Sequence, residues 1–395
     1  MKSLYDLHLS NNAKMGIYNN RAVPSAYNEL AVEYKAVREN ALLVDYSHVA
    51  IVSVMGEDAW ALVNHMASAD VSIIRDEQGM YSLVLNDDGT IRGDIYTLCT
   101  PDGYYLISEN IAVSELIETL NGLLERADEL DIAEIPEIKS MDQEEWGAIM
   151  LEGPWSWEIL AEVYGFDIIG LPYHEYINQD DGLIVFRCGK HGEFGYMMLG
   201  KQTALVELWS KLTDIGEKFL LKTGGLEYQN IVRVENPCWD ENIHALYSRN
   251  PVELQMQWAI QYDKEDFIGK SSVIDLSQAG AQRKLIGMRP LAENTDIASG
   301  DKVMVGEKEV GVIVKAIYSP ALQSFIALAL IDEDYAWSDI QGFDIRTSLA
   351  VISAKTHNVP FLYNLSMLIN PIEHNYVEFA KSHIILNESV DSHQK

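Results

Sequence analysis

The pattern of apolar residues changes at about residue 280, and that change limits the folds open to the chain. Before it, strand-like segments at residues 50–54, 82–85, 95–98, 104–108, 182–187 and 195–199 alternate with amphipathic helical segments. Ser114 is placed to cap a helix whose Leu116, Ile117, Leu120 and Leu124 form one apolar stripe. Residues 203–212, with Leu205, Leu208, Trp209 and Leu212, form a second stripe that reads as core. With no Gly-x-Gly-x-x-Gly or phosphate loop among these elements, the pattern predicts an α+β fold rather than a nucleotide-binding one. After residue 280, short β-rich segments at 285–288, 302–305, 309–316, 325–331 and 343–346 are separated by Gly, Asp and Asn turns, which predicts a small β-barrel.

A chain of 395 residues can bury large cores, and its length suggests two or three domains. No apolar run reaches the roughly 18–20 residues of a membrane span, and residues 1–6 lack the apolar core of a secretory signal, so the expectation is a soluble, cytoplasmic protein. Cys99, Cys188 and Cys238 are isolated, without Cys-x-x-Cys spacing, which fits reduced thiols and small buried side chains and argues against a zinc site or other metal. Sixty acidic against 29 basic residues give a formal charge of −31. A field of that sign repels nucleic acid and anionic membrane, so neither is expected as a partner. The acidic stretch at 125–145 has no Ca²⁺-loop spacing and reads as solvated surface.

One carboxylate stands out. In Asn86-Asp87-Asp88-Gly89-Thr90-Ile91-Arg92-Gly93-Asp94-Ile95-Tyr96, a polar turn runs into an apolar strand that carries Asp94. Alternation puts Ile91, Gly93 and Ile95 on one face and Arg92, Asp94 and Tyr96 on the other, so the segment alone predicts a solvated face. If that face is covered instead, an ionised group there must be paired, hydrogen-bonded or held for chemistry, which makes Asp94 the first candidate catalytic residue.

Motifs along the chain appear in one order: Asn11-Asn12-Ala13-Lys14-Met15, Asp45-Tyr46-Ser47-His48, Tyr81-Ser82-Leu83, residues 86–94, Leu151-Glu152-Gly153-Pro154, residues 187–197, Arg233-Val234-Glu235, Asn250-Pro251-Val252-Glu253, Asp266-Phe267-Ile268-Gly269-Lys270 and Ser319-Pro320-Ala321-Leu322. In that order they resemble the glycine-cleavage T-protein (aminomethyltransferase) family, up to about residue 362. The resemblance implies a three-domain cloverleaf around a central cavity: a split folate-binding-like first domain at 1–50 and 140–250, an inserted α+β domain at 51–139, a linker at 251–280 and a C-terminal barrel at 281–362. Residues 363–395, with Ile384-Ile385-Leu386 among polar residues, extend beyond the family's usual end and read as a partly ordered tail.

The resemblance also implies site residues. Asp94 occupies the place of the second carboxylate of an Asp-Asp pair that contacts tetrahydrofolate, the first being Gly93 here. Tyr81 and Asn110 match positions that line the folate pocket, and Tyr96 is assigned to the substrate cavity; the plain readings are a core tyrosine for Tyr81 and a helix cap for Asn110. Where the family has an aromatic and a pterin-binding Glu, this chain has Lys190 and Met197, and a family Arg-Asp pair is Gln229 and Asn230. A thioether cannot replace a carboxylate toward a pterin edge, so the pocket is altered. Glu193 is either a substitute carboxylate or, like its usual family counterpart, a structural one, and Lys190 and His191 are either cavity groups for an anionic substrate or the folate glutamate tail, or loop residues in solvent. His48, at the cavity edge, has the ordinary titration range of a proton carrier, although a hydrogen-bonded structural histidine is the plainer reading. Arg233 and Glu235 are expected to pair with each other.

The function these readings imply is tetrahydrofolate-dependent one-carbon transfer (methyl, hydroxymethyl or aminomethyl) with a non-standard small-molecule substrate. Gly93-Asp94, Asn-Pro-x-Glu and Asp-Phe-Ile-Gly-Lys look similar to the branch containing tetrahydrofolate-dependent O-demethylases of aromatic compounds. The alternatives are an orthodox aminomethyltransferase of glycine cleavage, and a non-catalytic folate-binding relative or folate-independent family member. H-protein, typically acidic, is disfavoured as a partner by the charge.

Overall fold

The computed structural model describes residues 3–292 and 296–379. Three β-structures organise it. The first is a six-stranded sheet in the order Tyr176–Asn178, Ile184–Arg187, Gly195–Lys201, Trp146–Glu152, Leu42–Asp45 and Lys222–Gly224, antiparallel except for its last pair. Both faces of this sheet are covered, so its strands read as continuous apolar runs, and alternation decides which core each residue joins. Ile149, Leu151, Met198 and Val185 turn toward the helix Gln202–Gly216 with its stripe of Leu205, Leu208, Trp209 and Leu212. Met150, Met197 and Phe186 turn the other way, toward the molecular centre.

The second is a five-stranded antiparallel sheet in the order Gly79–Leu85, Ile91–Thr100, Gly103–Ser108, Ala50–Met55 and Glu137–Ser140. Helices Ala59–Met66 and Val113–Leu124 pack on one face through Leu62, Val63, Leu116 and Leu120. Ser114 does not cap the second of these: Ala112 is the N-cap residue, and Ser108 caps the approach, its hydroxyl accepting from the amides of Asn110 and Ile111. The other face, expected in solvent, is closed over by the first sheet and the loop after residue 187. Asp94 is 1 % and Tyr96 4 % exposed, with Tyr96 packed against Phe186. A tertiary contact thus overrides the local pattern.

The third is a closed six-stranded barrel in the order Arg283–Pro290, Ser324–Asp332, Lys308–Ser319, Lys302–Val305, Gln341–Arg346 and Val351–His357. The last strand escaped the sequence reading: its burial alternates, but exposed Val351 and buried Ala354 and Thr356 blur the apolar pattern. Met288, Ile313, Ala327 and Ala329 fill the barrel, whereas Ile326, Leu328 and Leu330 point outward onto Leu83, Ile91 and Trp239. Beyond the barrel the chain returns to the first sheet, where Leu365 and Ile369 join its core and Tyr376 packs edge-on against Trp155. The tail is thus docked through residue 379, and residues 384–386 lie outside the described residues.

Candidate functional site

Asp94 sits mid-strand, and the neighbouring strand supplies its first partner. Leu83 pairs with Asp94 and Tyr81 with Tyr96, which carries the Tyr81 hydroxyl to Asp94 Oδ2 at 2.9 Å. The turn after Gly103–Ser108 brings Asn110 Nδ2 to Oδ1 at 2.7 Å, and Lys190 Nζ reaches Oδ2 at 2.7 Å from the six-stranded sheet's loop. Asn110 is therefore a partner of the carboxylate rather than a helix cap. A carboxylate accepts about four hydrogen bonds, so one lone-pair direction remains. Gly93 is required by packing: a Cβ there would lie 2.5 Å from Ile111 Cγ1, so the first Asp of the family's pair has no room.

Lys190 is the structure's main departure from expectation. Its side chain is only 8 % exposed; its ammonium also lies 3.2 Å from Glu109 and over the rings of Tyr81 and Tyr96, 5.7 and 5.6 Å from their centroids. Burial opposes the lysine's charge, but Asp94 and Glu109 raise its pKa above the ordinary value. Glu109 is shared with Arg233, which also binds Asp240 at 2.7 Å. Burial works against ionising Glu109, yet Arg233 and Lys190 hold it well below the usual carboxylate range. Arg233 Nε meets His191 Nε2 at 3.3 Å, which puts the imidazole proton on Nδ1, 2.9 Å from Glu152; Tyr228 donates to the same carboxylate at 2.9 Å. Charges thus alternate from Asp94 through Lys190, Glu109 and Arg233 to Asp240.

Several expectations need correcting. Lys190 and His191 do not stand open for an anion, because both are committed to carboxylates. Glu193 lies outside this network: Arg38 holds its Oε1 at 3.0 Å and Ser366 its Oε2 at 2.5 Å. Arg233 and Glu235 do not pair; Glu235 takes Arg38 instead, at 2.7 Å. Asn230 is exposed, donating to the Glu227 carbonyl, because a helix turns successive residues by about 100° and only Gln229 faces inward, to the Tyr46 hydroxyl at 2.5 Å. His48 is no proton carrier near neutrality, since burial lowers its pKa to about 4, and its Nδ1 has no hydrogen-bond partner. Glu109, Glu152, Tyr46 and Asp240 were missed as site groups; the clue for the first was its position beside Asn110.

Two cavities adjoin the network. An inner chamber bounded by Tyr46, Tyr96, Glu109, Lys190, His191 and Met197 has about 10 Å³ free, room for one water at most. An outer cavity of about 450 Å³ also borders Lys190, walled by Leu254, Met256, Trp258, Val359 and Pro360, with Asn236, His244 and Gln255 as further polar groups. Trp258 stacks on Tyr81 at 5.4 Å. The residues present do not fit a pterin at the inner chamber: Lys190 fills the space beside Asp94, and Met197 offers no hydrogen bond to a pterin edge.

Residues 4–264 match the GCVT N-terminal domain family and residues 283–362 the glycine cleavage T-protein C-terminal barrel domain. Similar proteins include an aminomethyltransferase of Pseudothermotoga lettingae, 27 % identical over 361 residues that cover 91 % of this chain and 96 % of that protein. An aminomethyltransferase of Alkaliphilus oremlandii is 28 % identical over 339 residues, 84 % of this chain and 89 % of that one. The crystal structure of the glycine cleavage system aminomethyltransferase T from Bartonella henselae superposes with a TM-score of 0.76 at 21 % identity, covering 91 % of this chain and 97 % of that one, and shares its fold. With both domain families matched in order over most of its length, the chain belongs to the glycine cleavage T-protein family.

Proposed function

We propose that this T-protein family member transfers a one-carbon unit of a small-molecule donor that reaches Asp94 through the outer cavity. As a member of the family the chain is a one-carbon transferase. The observation that carries the reading is Asp94: a carboxylate 1 % exposed, held by Tyr81, Asn110 and Lys190, with one acceptor direction left for a ligand N–H or O–H. A non-standard donor is supported by Lys190, Met197 and Gln229, where the family resemblance implies an aromatic, a carboxylate and an arginine. A lipoyl-carrying acidic protein is disfavoured by the charge of −31. Tetrahydrofolate, the carrier that the resemblance implies, would reach the inner chamber only with Lys190 withdrawn from between Tyr81 and Tyr96.

Calorimetric titration of the wild type and Asp94→Asn with tetrahydrofolate tests the carrier. Saturable binding, weakened by the substitution, supports folate-linked transfer at Asp94. Absence of binding removes tetrahydrofolate from the proposal.

A further inference from the structure

Lys190 occupies a site with the chemistry of a cation receptor. Two aromatic faces, Tyr81 and Tyr96, and two carboxylates, Asp94 and Glu109, surround its ammonium, an arrangement that elsewhere recognises ammonium ligands. We propose that Lys190 is a tethered cation that fills an ammonium-binding cage, and that it is the specificity determinant that closes Asp94 to donors with a positive charge, such as an aminomethyl group in its ammonium form. The donors admitted are then those that bring no cation to the reacting end. This rests on the reading of Asp94 as the reaction site.

Three observations support it. The cage leaves no space for a second cation, since only about 10 Å³ remains on the inner side. An ammonium arriving from the outer cavity would have to share Asp94 with Lys190, and like charges repel strongly where little water screens them. The loop that carries Lys190 is itself anchored on both sides: the His191 carbonyl is held by Arg38 at 2.9 Å and Asn364 at 3.1 Å, and Tyr173 donates to the Gly189 carbonyl at 2.8 Å.

The test needs no turnover. In Lys190→Ala the cage is vacated, and methylammonium chloride should raise the thermal midpoint saturably by a few degrees, whereas methanol and matched sodium chloride should not. The wild type should not respond, and Asp94→Asn added to Lys190→Ala should remove the response. If the alanine variant folds only in methylammonium, its unfolding on dialysis reads the same site. Lys190→Met keeps the stem without the charge and vacates only the place of Nζ; it should bind the ammonium ion itself, added as ammonium chloride, by calorimetry where the wild type does not. The proposal is overturned if neither variant gains ammonium binding over the wild type, or if methanol serves as well as methylammonium. A failure of the reaction-site reading is separate, because it would appear as an Asp94→Asn variant with unchanged turnover.

Discussion

Ser366 donates its hydroxyl to Glu193 at 2.5 Å and thereby ties the segment that follows the barrel to the loop that carries Lys190. The amide of Phe194 returns a bond to the same hydroxyl at 3.0 Å, and Asn364 binds the His191 carbonyl. Gly192 lies between them at φ +78°, where a Cβ would be 2.1 Å from Asn364 Nδ2, so the loop accepts the strap only with glycine there. Residues 364 and 366 lie past the end of the barrel-domain match at 362.

Cutting the strap should loosen Lys190 selectively. Ser366→Ala combined with Asn364→Ala removes three bonds made by these side chains, and a local opening eased by about 1.4 kcal/mol is tenfold more populated. Acylation of Lys190, followed by mass spectrometry, should rise about tenfold by that estimate. Lys264 is an internal control: it is also buried, binding the carbonyls of Ala67 and Ala69 in a different part of the molecule. An equal rise at both lysines would mean general loosening and would sink the strap's local role.

Stability should fall as pH rises because of Glu193. Burial, only partly offset by Arg38 and Ser366, raises its pKa from 4.5 to about 7. Between those values the folded chain holds a proton that the unfolded chain has released. The contribution is therefore full below about pH 4.5 and is lost as pH passes 7, an effect of about 1–3 kcal/mol. Urea midpoints of the wild type and Glu193→Gln at pH 5 and pH 8 check this: the variant should lack the wild type's decline, and parallel slopes would refute the assignment.

Arg38 should be among the most destabilising positions to truncate. It makes five hydrogen bonds, two to Glu235 and one each to Glu193, Asn236 and the His191 carbonyl, and its side chain is 7 % exposed. Arg38→Ala leaves the buried Glu235 carboxylate without its counter-charge, held by the Tyr34 and Ser319 hydroxyls at 2.6 Å each, with an expected loss of about 3–5 kcal/mol in chemical denaturation. Arg38→Lys should recover little of it, because a single ammonium cannot replace a planar fork with five donors. A loss under about 1 kcal/mol for the alanine variant would show that the network relaxes around the gap.

Much of the architecture was legible because local patterning and packing agree. The stripe of Leu205, Leu208, Trp209 and Leu212 faces a core in isolation and in the fold, and five barrel strands announced themselves through their turns. The site was legible only in part. Asp94, Tyr81 and Asn110 were named from sequence, and they meet because adjacent strands and one turn bring them together. Lys190 and Glu193, three residues apart in one loop, were grouped together, but their side chains turn into separate networks.

By itself, then, the sequence determined the α+β elements, the barrel, the family and the one carboxylate set in an apolar strand. Those properties depend on side-chain periodicity and short-range turns, which neighbours along the chain encode. Tertiary structure alone decided that both faces of that strand are covered, that Lys190 is the counterion of Asp94 across 96 residues, and that Arg38 rather than Arg233 holds Glu235. Pairing between buried charges depends on which loops meet once the sheets have packed, and in a poorly solvated interior the nearest opposite charge takes the partner.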